Sequence, residues 1–98
     1  MKTHHLQLER DDGSTYYKSI NAKLILTEGD RQERRQVFLM RNGEVRLRGR
    51  LEDGRGGVRW QLLAVGDPRY DLGPRLSREA YELAMRRLGL EAVVTETG

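Results

Sequence analysis

Apolar and polar residues alternate along the first two thirds of the chain with the period of two that belongs to β-strands. Leu6 and Leu8 alternate with Gln7 and Glu9, which predicts a strand over residues 3–10. Asp11-Asp12-Gly13 then predicts a three-residue hairpin loop with Gly13 left-handed, and this register sets Leu8 opposite Tyr16. Tyr16, Ile20, Ala22, Leu24 and Leu26 share one face of a long second strand. Lys18 interrupts that face, which points to a bulge near Tyr16-Tyr17. Thr27 to Arg35 is polar and reads as the protruding end of a hairpin around Gly29-Asp30.

Asn42-Gly43, between VFLM and VRLRGRL, predicts a two-residue type I′ hairpin. On that register Met40 faces Val45 and Phe38 faces Leu47, so Phe38, Met40, Val45, Leu47 and Leu51 point to the core. Val37, Leu39, Arg46, Arg48 and Arg50 then point outward. A four-residue loop over Asp53-Gly54-Arg55-Gly56 pairs Leu51 with Val58 and sets Trp60 opposite Gly49, where the missing side chain leaves room for the indole. Arg59, Gln61, Leu63 and Val65 look outward with the arginines.

Beyond Gly66-Asp67-Pro68 the period changes. Pro68 and Pro74 bracket an irregular connection, and Ser77 is placed to cap a helix. Ala80, Tyr81, Ala84, Met85 and Leu88 fall on one face of that helix, with Arg78, Glu82, Arg86 and Arg87 opposite and Gly89 as its stop. Residues 90–95 turn β-rich and add a sixth, edge strand to the expectation. The predicted fold is α+β: an antiparallel meander sheet of five strands, six with the last, and one C-terminal helix packed on its inner face. It forms a single small domain over residues 1–98.

Composition narrows the function. The absence of cysteine excludes disulfides and thiolate metal sites and makes a cytoplasmic location the simplest expectation. No apolar run approaches the roughly 20 residues that cross a bilayer, so no membrane partner is expected. The N-terminus lacks the apolar core of a secretion signal, and the chain is expected to be soluble and unprocessed. His4-His5 on a strand point to opposite faces and share no metal ion readily. Asp11-Asp12 is explained by its turn, and Ser14, Ser19 and Ser77 have no base partner in sight. Gly54, Gly56 and Gly57 form no phosphate loop, since no lysine and no helix follow. No catalytic residue, metal or cofactor is predicted, and an enzyme ranks behind the binding readings.

Charge is uneven. Arg31 to Arg59 holds nine arginines against Glu33, Glu44, Glu52 and Asp53, a local excess of five, whereas the whole chain carries +3. With the second and third strands paired about residues 30–32, the outer face forms rows. Thr27, Arg35, Arg50 and Arg59 make the first, and Ile25, Val37, Arg48 and Gln61 the second. Lys23, Leu39, Arg46 and Leu63 make the third. Arg31, Arg34 and Arg55 stand in hairpin ends near the first row, where an Arg50–Arg59 pair favours an anion between them.

The expected function is therefore a small nucleic-acid-binding module, tolerant of sequence and directed to single strands. Arg35, Arg46, Arg48, Arg50 and Arg59 contact phosphates, supported by Arg31, Arg34 and Arg55. Ile25, Val37, Leu39 and Leu63 form an apolar strip against bases or a partner. The same face also fits a homodimer or an inhibitor docked on an acidic protein. It equally fits a solvated surface on which arginine stems cover apolar groups. Trp60 and Phe38 face inward on this register, so only Tyr17 and Tyr70 remain for stacking. The order of strands followed by a helix from Leu76-Ser77 resembles, in topology, the small single-stranded-DNA-binding coactivator folds and their whirly-type relatives.

Overall fold

Three hairpins are built by one device. In the computed structural model, which describes Met1 to Val93, Arg10 and Ser14 bracket the first loop through an Arg10 N–Ser14 O hydrogen bond of 2.8 Å. Met40 and Glu44 bracket the third-to-fourth strand loop in the same way (2.8 Å), and Asp53 and Gly57 the next (3.0 Å). Each loop has three residues, and its last is a left-handed glycine: Gly13, Gly43 and Gly56, at φ of 85°, 89° and 82°. In the first and second loops a side chain closes the turn. The Asp12 carboxylate accepts from the Ser14 amide at 2.9 Å and the Asn42 carbonyl accepts from the Glu44 amide at 2.9 Å. In the third the Asp53 carboxylate accepts from Arg55 N and Gly57 N, and these amides hold its carboxyl below the usual range, the Arg55 bond contributing most.

The strands are β1 (Lys2–Glu9), β2 (Thr15–Glu28), β3 (Arg35–Met40), β4 (Val45–Glu52) and β5 (Val58–Val65), an antiparallel meander in that order. A short helix, α1 (Pro68–Asp71), and a 3₁₀ turn (Gly73–Arg75) lead to α2 (Arg78–Leu88). The α+β fold and its five-strand meander match the sequence expectation. α2 is capped by the Ser77 hydroxyl and stopped by left-handed Gly89. Leu90–Val93 form no strand, and the rest of the predicted sixth strand lies outside the described residues.

Two registers differ from expectation by one residue. Leu39, not Met40, pairs with Val45, and Gly49 pairs with Gln61 while Arg50 pairs with Trp60. A type I′ turn would need Asn42 at positive φ, and among the described residues only glycines adopt it. A one-residue slip turns every side chain over. Val37 and Leu39 therefore join Val45, Leu47 and Leu51, whereas Phe38, Met40, Trp60 and Leu62 join Arg46, Arg48 and Arg50. Gly49 makes room for the end of the β2–β3 hairpin rather than for the indole: a Cβ there would lie 3.2 Å from Arg35 Cγ and 3.4 Å from Arg34 O.

The bulge also sits elsewhere. β2 shifts register between Leu24 and Leu26, so Ile25 and Leu26 are both buried on the helix side. The carbonyl of Ile25 is taken up by Arg87 from α2 at 2.6 Å.

Burial consequently falls on both faces of the sheet. One cluster joins Ile25, Leu26, Val37, Val45, Leu47 and Leu51 to Leu72, Leu76, Tyr81, Ala84 and Met85 beneath α2. The other holds Leu6, Leu8, Ile20, Ala22 and Phe38, with Tyr16, Met40 and Leu62 at its margin. β2 is long enough to serve both: its first half carries β1 across the far face, and its second half pairs with β3. Val37 and Phe38, adjacent in sequence, are both 0% exposed because β3 is covered on both sides.

The β2–β3 hairpin end depends on Gly29. Its φ is +85°, and a Cβ would fall 2.6 Å from the Glu33 carbonyl oxygen. Gly29→Ala is expected to cost about 2–3 kcal/mol by urea denaturation, backbone strain and clash together. Gly13→Ala, where a Cβ meets nothing within 4 Å, should cost only the left-handed backbone, about 1 kcal/mol.

Candidate nucleic-acid interface

The sheet curls until the end of β1 meets the start of β5, and side chains close the seam. Parity in the ladders turns the amide of Trp60 away from β4, and it donates to Glu9 Oε1 at 2.9 Å. On the opposite lip the carbonyls of Gln7 and Glu9 accept from Arg48 Nη2 (2.8 Å) and Arg59 Nη1 (3.0 Å). Arg48 also donates to Gln36 Oε1 at 2.9 Å, and its guanidinium lies 4.5 Å from the centre of the Trp60 ring. Arg59 pairs with Asp11 at 2.8 Å and lies 3.8 Å from Asp53. These bonds replace the backbone ladder that a closed barrel would have. Burial, and then the charge of Arg34 nearby, lower the pKa of Arg48 below the usual guanidinium value.

The predicted arginine surface divides accordingly. Arg48 and Arg59 hold the seam, Arg46 pairs with Glu44 at 2.9 Å, and Arg35 donates to the carbonyl of Arg75. The Arg50–Arg59 pair does not form: Arg50 opposes Trp60 and Arg59 opposes Leu51. Arg31, Arg34, Arg50 and Arg55 are exposed, and their guanidinium groups make no ion pair or hydrogen bond among the described residues.

The apolar strip is corrected outright. Ile25 (2% exposed) and Val37 (0%) are core beneath α2, and Leu39 and Leu63 pack against that core. The bulge and the register slip put all four on the helix side, where Ile25 and Val37 are buried and Leu39 and Leu63 partly so.

What the structure brings together instead is a cleft of about 360 Å³ at the seam, whose walls include Glu9, Arg31, Gln32, Arg50 and Trp60. Arg50 and Gln32 also border a second cleft of about 620 Å³ beside Glu28, Glu33 and Arg35. Arg50 stands between the two. Trp60, expected in the core, is half-buried on the arginine side of the sheet. The residues missed from sequence are Trp60, Gln32 and Glu9. The signal for the first was available: Arg-Asn-Gly and Gly-Arg-Gly match Asp-Asp-Gly in ending on glycine, and reading all three alike gives the observed registers. Among the described residues no group of three metal-ligating side chains converges, and no helix is long and apolar enough to cross a membrane.

The chain matches no protein-family model, no curated protein and no solved structure.

Proposed function

We propose that this protein is a small module that binds nucleic acid through its phosphate backbone with little regard to sequence. The observation that carries the proposal is the cleft at the seam, where two exposed arginines without acidic partners, Arg31 and Arg50, share a wall with Trp60. Arg34 and Arg55 add unpaired charge in the neighbouring hairpin ends. Guanidinium groups suit phosphate because their planar fork meets two oxygens at once. The four arginines committed inside the fold play no part in this reading. The protein-docking alternative loses its support, since Ile25 and Val37 of the apolar strip are buried and Leu39 and Leu63 pack against the core beneath α2.

The test is a titration of a labelled oligonucleotide at rising salt. For two neutralised phosphates on a single strand, log K should fall against log salt with a slope of about −1.4. The double variant Arg31→Glu/Arg50→Glu is expected to bind at least about tenfold more weakly, a loss of about 1.4 kcal/mol, with an unchanged circular dichroism spectrum. Equal affinity in the double variant would sink the proposal.

A further inference from the structure

Resting on that reading, we infer that Trp60 is a base-stacking platform and that it directs the cleft to unpaired bases rather than to duplex.

The indole is held before any ligand arrives. Its backbone amide is fixed to Glu9 Oε1 at 2.9 Å, and Arg48 lies over the ring at 4.5 Å while bonded to Gln7 O and Gln36 Oε1. A guanidinium covers one face of a ring, and Trp60 also forms part of the wall of the cleft beside Arg31 and Arg50. A base entering there would complete a stack of guanidinium, indole and base. Less ordering entropy remains to be lost where a backbone hydrogen bond and a stacked guanidinium already hold the platform. Aromatic stacking tolerates any base, since every base has a π-face, whereas a paired base keeps its faces inside the helix.

Charge sets the direction of the strand. The Glu9 carboxylate, bonded to the Trp60 backbone amide in the same cleft, repels phosphate, while Arg31 and Arg50 attract it. The sugar–phosphate chain therefore runs on the arginine side, with the base turned toward Trp60 and Glu9. A base on the ring with flanking phosphates on the two arginines is the smallest footprint that uses all three groups.

Trp60 is the single tryptophan of the chain, so its fluorescence reports the site directly. A short oligothymidylate should quench the emission on binding, whereas inorganic polyphosphate, which has charge but no base, should bind with little quenching. Trp60→Leu should weaken oligothymidylate binding about tenfold and leave polyphosphate affinity unchanged. Trp60→Phe, which retains a ring and guards against a folding defect, should keep most of the oligonucleotide affinity. The hydrogen bond to Glu9 is made by the backbone and survives either substitution. Equal affinity of Trp60→Leu and wild type for oligothymidylate, or unchanged emission at saturation, overturns the platform. Salt-dependent binding that still requires Arg31 and Arg50 would then leave the broader proposal standing. A duplex bound as tightly as the single strand also overturns the inference.

Discussion

Arg48→Glu should destabilise the fold by about 3 kcal/mol or more in urea denaturation, whereas Arg50→Glu, two residues along the same strand, should stay within about 0.5 kcal/mol of wild type. The two side chains look interchangeable in the Arg-Leu-Arg-Gly-Arg run, and the seam separates them. Arg48 donates to the Gln7 carbonyl and to Gln36 and stacks on Trp60, and its Nε is buried without a partner among the described residues. A carboxylate in its place would face two acceptors, and the Gln7 carbonyl would lose its donor. Arg48→Met keeps the stem against the indole and removes only the donors, so an intermediate loss of about 1–2 kcal/mol is expected. Arg50 has no comparable bond, and its reversal should show in ligand affinity rather than in stability. Equal stability of Arg48→Glu and Arg50→Glu would mean that the seam does not need its arginine.

The division among the arginines also shows which parts of the fold the sequence reveals. Strand positions, the first hairpin register, the Ser77 cap and the Gly89 stop are local properties, set by alternation, turn chemistry and backbone freedom within a few residues. The face assignment of β3 and β5 is not. Val37-Phe38-Leu39-Met40 is apolar at every position, so a period of two has nothing to lock onto, and the turn alone must decide the register. Asn-Gly allows a two-residue loop as well as the three-residue loop adopted here, and the choice turns over four side chains at once. The same slip in β5 kept the two expected registers mutually consistent while both were displaced.

The candidate site was legible only in its charge. That Arg31 to Arg59 carries the positive excess could be read directly, but not which arginines remain free. Counter-partners come from distant segments: Arg48 and Arg59 are met by β1, and Arg35 by the stretch before α2. Arg31, Arg34 and Arg55 stand in hairpin ends, where their side chains are exposed. Arg50 borders the same cleft as Glu9 of β1, yet its guanidinium is exposed and takes no partner among the described residues. Long-range closure of the sheet, invisible in any local window, thus converts a uniform arginine run into a structural set and a solvent-facing set.

Phe38→Ala should cost about 3–5 kcal/mol, much of the 5–15 kcal/mol that holds a domain of this size, because the ring is fully buried among side chains of β1 and β2. Its neighbours identify the core that would collapse. Leu6, Leu8, Ile20 and Ala22 surround it, and the His4 ring meets it edge-on at 5.1 Å. The sequence-based register would instead place Phe38 beneath α2 with Met85. Milder substitutions separate the two arrangements without risking the fold. Phe38→Leu combined with Leu8→Val should be non-additive, with a coupling of about 0.5 kcal/mol or more, because the two share a cluster. Phe38→Leu combined with Met85→Leu should be additive, because the sheet lies between them. The reverse pattern in a double-mutant cycle would return Phe38 to the helix side. Trp60, which shares the face of Phe38 through the ladder, would then return there with it and leave the cleft without its indole.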